Sequence, residues 1–405
     1  MKQEREYPVV TITSKGEDFL SQGNNWVYEA EVLNIDKEHE NGAIVDVVSK
    51  KGKYLGTGFI SDVSKVKVRI FSKNTNDTYN DEFFTRRVRY AIDYRKAVME
   101  SMDNCRIIFG EADGFPGLTV DKYNTILVTQ ITTIGLELRK KVIFDALLKC
   151  FEEDGIIIDA IYERNDVASR EKDGLTLYKD YYYSRDGFDR STYETIIEEN
   201  GIKYYVDFVN GQKTGFFLDQ KFNRELVSRI ARGKRVLDCF THTGSFGLNC
   251  VKGGAVKVTS VDISGLAVEQ SRRNAQLNGM EDKVEYVKAD VFKYLDQVKK
   301  REYDLIILDP PAFTKSRSTV MAAYNGYKRI NSQAMKLLGK GGYLVSASCS
   351  HFMPEELYVK MLLEAASENN VTIKQISYSQ QGKDHPIVLN SNQTDYLKFY
   401  IMQII

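Results

Sequence analysis

From about residue 203 onward the chain alternates two kinds of hydrophobic pattern. The runs RVLDCF, VKVTSVDI, KVEYVKAD, YDLIILDP and GYLVSASCS are short and rich in Val, Ile and Leu. They carry too few polar positions to leave one face wet, which predicts strands buried on both sides. Between them, segments near 244–252, 265–278, 322–338 and 354–369 space their apolar residues three and four apart. That spacing predicts helices. Strands and helices in alternation predict a doubly wound, mostly parallel α/β sheet. Two late runs, ISYSQ and YLKFYIMQII, predict a pair of strands forming a hairpin-like edge.

The earlier sequence is patterned differently. Residues 9–71 hold short β-like runs, among them AIVDVVSKKGKYLGTGFI and KVKVRIF, broken by Gly42, Gly52, Gly56 and Gly58. This predicts a small all-β module. The polar stretch SKNTNDTYND reads as a linker, and residues 81–101 as a helix with Phe84, Val88, Ile92 and Val98 on one side. From 105 to 190, strand-like CRIIFGEADGFPGLTVDKY and TILVTQIT, helical LELRKKVIFDALLKCF and strand-like GIIIDAIYER predict a central α+β layer. Three domains are expected, at 1–73, 74–190 and 191–405.

Composition narrows the class of protein. Apolar content is 42% and no apolar run approaches the roughly 18 to 20 residues that span a bilayer. Residues 1–10 are charged and lack the apolar core of a signal peptide, so a cytoplasmic location and no membrane partner are expected. The five cysteines are scattered, without a CxxC pair, which argues against a disulfide framework or a zinc site, and no metal is expected. Net charge is zero, yet basic residues gather in two places. Lys50, Lys51, Lys53, Lys65, Lys67 and Arg69 face one acid, Asp62, and Arg86, Arg87, Arg89, Arg95 and Lys96 form a second group. Each reads either as a solvated face or as a phosphate-contacting surface.

Candidate chemistry collects where the predicted strands end. Asp238, Asp262, Asp290 and Asp309 close four consecutive strands, so four acids are expected in register on one rim. Ligands of doubly wound sheets bind outside the carboxyl ends of the strands. After Asp238 comes the turn FTHTGSFG, whose Gly244 and Gly247 let a ligand approach backbone N–H groups. Its spacing is not G-x-G-x-x-G, which disfavours a nicotinamide dinucleotide. Asp262 is placed to accept from a ribose diol and Asp290 to accept from an adenine amine. The fifth run ends in SASCS, placing Cys349 beside the end of the Asp309 strand. The other cysteines, Cys239 included, read as packing residues.

Taken together, VLDCFTHTGSFG, VDIS, KADVF, LDPPAF and SCS resemble the class I S-adenosylmethionine (SAM)-dependent methyltransferases. NGQKTGFFLDQKFNR and GKDHPIVLNSNQTDYLKFY narrow the resemblance to the ribosomal-RNA large-subunit methyltransferase I family, which makes 5-methylcytosine. The resemblance runs through essentially the whole chain. It implies a PUA RNA-binding module first, then a central α+β domain, then the methyltransferase. Asn24-Asn25-Trp26-Val27-Tyr28 stands where many relatives have His-Pro before Trp-Val-Phe, which puts the RNA contacts of that turn in question.

The resemblance also implies roles. SAM would be held by Asp238, Phe240, Thr243, Gly244, Phe246, Asp262, Ile263, Asp290 and Val291, with Phe217, Gln220 and Asp309 closing on it. Pro310, Pro311, Phe313 and Lys213 would meet the substrate base, in RNA of the large ribosomal subunit. Carbon 5 of cytosine is a poor nucleophile, and a thiolate adding at carbon 6 activates it, so Cys349 and Asp309 are the expected catalytic pair. Phe313 reads equally as a stacking platform and as packing, and His385 as a structural residue. Two alternatives stay open: an RNA methyltransferase acting on guanine N7 or adenine N6, which needs no thiol, and a non-catalytic RNA-binding assembly factor. The oligomeric state is open, with a homodimer among the options.

Overall fold

The computed structural model describes residues 5–391 and 393–405. The first residues of the charged N-terminal stretch and Asn392 of the late motif lie outside them. The chain divides into two compact units. One comprises Met1–Thr195, Val206–Leu218 and Lys383–Thr394; the other comprises Ile196–Tyr205, Asp219–Gly382 and Asp395–Ile405. The first two expected domains thus cluster as one unit, together with three segments expected in the third, 191–195, 206–218 and 383–394. Among the described residues no helix is long and apolar enough to cross a membrane.

The first unit holds two sheets. A six-stranded sheet is built from Val9–Ile12, Trp26–Tyr28, Val32–Ile35, Ile44–Ser49, Tyr54–Ile60 and Val66–Ser72. Its inward side chains, Val10, Ile12, Val27, Val45, Val47, Ile60 and Val68, form one cluster. The all-β expectation left out the helix Ser14–Ser21, a short polar segment capped by the Thr13 side chain accepting from the Gly16 N–H. The five-stranded central sheet runs in the order Tyr178–Ser184, Ala160–Asn165, Ile126–Ile131, Leu118–Tyr123, Asn104–Phe109. The expected helices are Asp81–Val98, capped by Asn80, and Lys140–Glu153. A separate two-stranded ribbon, Glu194–Glu199 with Ile202–Asp207, most of which (Ile196–Tyr205) belongs to the second unit, turns at Asn200 and Gly201. Both turn residues are left-handed, with φ of 53° and 66°. An Asn-Gly pair favours that conformation and is the sequence signal that would have located this ribbon.

The second unit is built on one seven-stranded sheet. Its strands are β1 (Arg235–Cys239), β2 (Lys257–Asp262), β3 (Val284–Lys288), β4 (Leu305–Leu308), β5 (Tyr343–Ser348), β6 (Ile373–Ser379) and β7 (Lys398–Ile404). They lie side by side in the order β3-β2-β1-β4-β5-β7-β6. The first five are parallel, while β7 is antiparallel to both β5 and β6. The late pair therefore differs from the expected edge hairpin: β7 is an inner strand, buried at six of its seven positions, and only β6 is the edge. The helices are α1 (Lys221–Ile230), α2 (Ser245–Lys252), α3 (Gly265–Leu277), α4 (Val291–Leu295), α5 (Val320–Leu338) and α6 (Glu355–Glu368). Leu237, Val261, Ile306, Leu308 and Leu344 from the strands pack with Tyr327, Ile330, Ala334, Met361 and Leu362 from the helices. The strand order reverses between β2-β1 and β1-β4, the switch point at which such sheets take ligands.

Candidate active site

Strand register corrects the picture of four level acids. Asp238 pairs with Ser260 on β2 and with Ile307 on β4. Asp262 and Asp309 therefore stand two residues farther along than Asp238. Asp262 in turn pairs with Lys288, so Asp290 stands two residues farther again. At about 3.3 Å per residue the acids form a staircase with steps of roughly 7 Å.

Each step has its own environment. Asp238 is 1% exposed and lies beneath the turn. Its Oδ2 accepts from Thr241 Oγ1 at 2.5 Å and from the Gly247 N–H at 3.0 Å. Burial pushes its carboxyl up to about 7, with the charge of Asp262 adding. It holds the turn from inside through these two bonds. A Cβ on Gly247 would stand 2.9 Å from Ser260 Oγ and 3.1 Å from Asp238 Oδ2, so that glycine serves helix-to-strand packing. Phe246, expected at the cofactor, is buried and stacks on Phe399 with centroids 5.7 Å apart. Thr243 and Val291 are also buried.

The turn itself is strained open. Phe240, His242 and Gly244 have φ of 62°, 50° and 78°. A non-glycine residue in this region costs on the order of 1–3 kcal/mol and persists only where its surroundings enforce it. Asp262 supplies part of that enforcement, since its Oδ2 accepts from the His242 N–H at 3.0 Å and its Oδ1 from the Ser264 N–H at 2.9 Å. Gly244 then begins α2, whose N-terminus carries partial positive charge. Beyond Asp262, Ile263 and Leu266 are 66% and 86% exposed and form an apolar ledge beside the turn. Asp290 caps α4, its Oδ1 accepting from the Lys293 N–H at 3.1 Å, and a second carboxylate oxygen remains for other work.

The rim at β4 and β5 gathers the chemical groups. Asp309 receives a hydrogen bond from Gln220 Nε2 at 3.2 Å. Gln220 is oriented by Asn223, which donates to Gln220 Oε1 at 2.7 Å and accepts from Ser379 Oγ at 2.7 Å. Burial pushes the Asp309 carboxyl up to about 7, and the charge of nearby Asp219 pushes the same way. Tyr396 donates to Asp219 Oδ2 at 2.5 Å. Cys349 Sγ lies 3.9 Å from the Pro310 carbonyl oxygen. Its thiol is partly exposed, whereas the other four cysteines are buried. Burial pushes the thiols of Cys239 and Cys250 well above their ordinary range and that of Cys105 up to about 12, as befits packing residues.

Around Cys349 stands a hydroxyl network for which the sequence carries no local signal. The Tyr327 hydroxyl meets Ser350 Oγ at 2.9 Å and accepts from Ser348 Oγ at 3.0 Å, holding the residues on either side of the thiol. Its ring faces Phe313 with centroids 4.5 Å apart, and Phe313 in turn stacks on Phe292 at 6.2 Å. Phe313 is partly buried and packs on Tyr327. Pro310 is buried and Pro311 exposed. Lys213 and Phe217 lie in the first unit, with Lys213 Nζ 5.0 Å from the Phe217 ring centre. His385 is likewise in the first unit, buried against Asp384 at 2.9 Å, in keeping with its structural reading.

The basic clusters separate in the first unit. Arg95 is fully buried and grips Asp113 with two bonds of 2.5 and 2.8 Å. Arg89 binds Asp154 and Glu153, Lys96 binds Asp154, and Arg87 lies over the Phe83 ring at 4.7 Å. Four of the five residues of this second cluster are thus engaged within the fold, while Arg86 stays exposed, 3.8 Å from Asp77. In the first cluster Arg69 pairs with Asp173 and Lys67 with Asp62, while Lys50, Lys51, Lys53 and Lys65 are exposed.

Comparison with known proteins agrees with this architecture. Residues 184–388 match the family described as S-adenosylmethionine-dependent methyltransferase, and residues 10–73 match the PUA-like domain. A ribosomal RNA large subunit methyltransferase I from Shewanella amazonensis is 38% identical over 393 residues, covering 96% of this chain and 97% of the relative. A protein of the same name from Aeromonas salmonicida is 35% identical over 392 residues, with the same coverage. Among solved structures, a chain from Streptococcus mutans described as a SAM-dependent methyltransferase superposes with a TM-score of 0.81 at 22% identity, over 98% of this chain and 99% of its own. A methyltransferase crystallised in complex with SAH superposes equally well. The sheet order, the staircase of acids and full-length relatives above 30% identity agree: this chain belongs to the ribosomal RNA large subunit methyltransferase I family of SAM-dependent methyltransferases.

Proposed function

We propose that the protein methylates carbon 5 of a cytosine in large-subunit ribosomal RNA, with Cys349 as the nucleophile. The observation that carries this reading is the meeting of a partly exposed thiol with the Asp309-Pro310 rim, 3.9 Å from Sγ to the Pro310 oxygen. When bound, SAM supplies the methyl group as an electrophilic carbon on a sulfonium. The residues present suit it: open N–H groups at the turn and the α2 N-terminus for a carboxylate, Asp262 for a ribose diol, the Ile263 ledge for an adenine face, and Asp290 for its amine.

The chain's own groups act on the pyrimidine. The Cys349 thiolate adds at carbon 6, and the displaced π pair makes carbon 5 nucleophilic. Charge that develops on N3 is met by the Asp309 carboxyl, which near neutral pH still holds a proton to donate. Gln220 fixes the orientation of that carboxyl. After transfer, loss of the carbon 5 proton to a base restores the ring double bond and expels the thiolate. A nitrogen acceptor would need none of this, so the thiol favours carbon. Nucleoside mapping of ribosomal RNA by mass spectrometry tests the reading. Cells lacking the protein are expected to lose one 5-methylcytosine from the large subunit; loss of N7-methylguanine or N6-methyladenine instead would overturn it.

RNA is gripped, in this reading, through the exposed Lys50, Lys51, Lys53 and Lys65 of the PUA-like module. Replacing all four by alanine is expected to weaken RNA binding at low salt and to flatten its salt dependence. For every phosphate that is no longer neutralised, the log–log slope falls by about 0.7 to 0.9. An unchanged slope in fluorescence anisotropy would remove these lysines from the interface.

A further inference from the structure

Lys398 is a buried cation that the chemistry above does not use. It is 4% exposed and sits on the inner strand β7, paired with Ser348 of β5. Its Nζ donates to the carbonyl oxygens of Ser350 and Tyr396, both at 3.0 Å. Cys349 is thus bracketed: one neighbour is tied to the Lys398 backbone by strand pairing, the other to its ammonium. Both hydrogen bonds go to neutral carbonyls, so the positive charge is not cancelled at its own contacts. A buried ammonium without a contacting carboxylate is costly, and groups perturbed in this way cluster at functional sites.

We propose that Lys398 is a positioning residue: it clamps the Ser348–Ser350 turn and supplies the positive charge that favours ionisation of the Cys349 thiol. The proposal rests on Cys349 being the nucleophile. Other ionisable groups face this pair. Asp395 precedes β7, with its Oδ1 buried and lacking a hydrogen-bond partner among the described residues. Glu355 approaches from α6, Tyr327 from α5 and Asp309 from the end of β4. Asp395, Glu355 and Asp309 carry or can gain negative charge, which opposes a thiolate. Lys398 is a buried cation that offsets them at this turn, and His351, whose Nδ1 lies 3.1 Å from the Asp395 carbonyl oxygen, is a further titratable group there. Burial lowers the affinity of Lys398 for its proton, and the charges of Asp395, then Cys349, then Glu355 raise it, so the ammonium answers the thiol as well as the two carboxylates.

The test is the rate of alkylation by iodoacetamide against pH in the full-length protein, read by mass spectrometry at Cys349, with Cys349→Ser marking reaction elsewhere. Only the thiolate reacts. In Lys398→Met the reactivity profile is expected to move up by about one pH unit, making alkylation near pH 7 about tenfold slower. Lys398→Arg is expected to restore most of it, and SAM titration of both variants reports that the unit remains folded. A Lys398→Met profile that overlays the wild type, in protein that still binds SAM, overturns the proposal. If Lys398→Met fails to bind SAM, Lys398→Arg decides. A folded arginine variant with the wild-type profile supports a role for charge, and one shifted like a thiol without a neighbouring cation overturns it. Covalent trapping by RNA carrying 5-fluorocytosine is the separate arm: absence of a wild-type adduct removes Cys349 as nucleophile, whatever the alkylation profile shows.

Discussion

Cys349→Ala is expected to bind SAM as the wild type does and to lose methyl transfer by at least about a thousandfold, the scale seen when a covalent nucleophile is removed. Two structural facts separate the two readouts. The thiol lies at the β5 end of the rim, against Pro310. The groups proposed for SAM lie at the turn, on β2 and on the cap of α4. Isothermal titration and a tritiated-methyl assay on the same preparation measure both. Transfer at the wild-type rate in the alanine variant would show that no covalent adduct is needed and would move the acceptor to a nitrogen. Cys239→Ala serves as the contrast. That side chain is fully buried in the core, so its loss is expected to affect stability and to spare the reaction.

Asp309 is expected to set the alkaline limb of the activity profile. Its carboxyl, ordinarily titrating near 3.8, is pushed up to about 7 by burial, with the charge of Asp219 adding. As a proton donor to N3 it works below that value and fails above it, while Cys349 needs a higher pH to ionise. The product is a bell-shaped rate. Asp309→Asn keeps a donor that does not titrate, so its rate is expected to hold above pH 7 where the wild type declines. Asp309→Ala removes the donor and is expected to lower kcat by about 10² to 10³. An asparagine variant that keeps the wild-type decline would take Asp309 out of the proton-donating role. Stability carries the same sign. A carboxyl whose affinity for its proton rises on folding contributes fully below its ordinary value, and that contribution is lost as pH climbs from about 3.8 toward 7. Chemical denaturation of Asp309→Asn is therefore expected to be less sensitive to pH over that window.

The two basic clusters show where a local reading stops. In the chain they look alike, as runs of Lys and Arg with few acids nearby. Folded, one is left with four exposed lysines and the other, Arg86 apart, is absorbed by Asp113, Asp154, Glu153 and the Phe83 ring. Asp154 lies 65 positions from Arg89, and no window of sequence pairs them. Phe246 and Phe313 make the same point for aromatics. Each sits in a motif that invites a ligand, and each is packed on rings from distant segments.

What the amino-acid order determined by itself was local and periodic. Apolar runs too continuous for an open face made buried parallel strands; an acid stood where each of the first four met the rim, with a Gly-containing turn after the first. A lone cysteine in a small polar turn marked itself as a candidate by standing at the end of the strand beside the Asp309 strand. Long-range pairing decided the rest. Inserting β7 between β5 and β6 brought Lys398 to Ser350 across 48 positions. Register turned four acids into a staircase, sending Asp238 inward to hold the turn and leaving Asp262 and Asp290 toward its open side. Burial and ionic contacts are sums over neighbours in space, and those neighbours exist only once the sheet has closed its order.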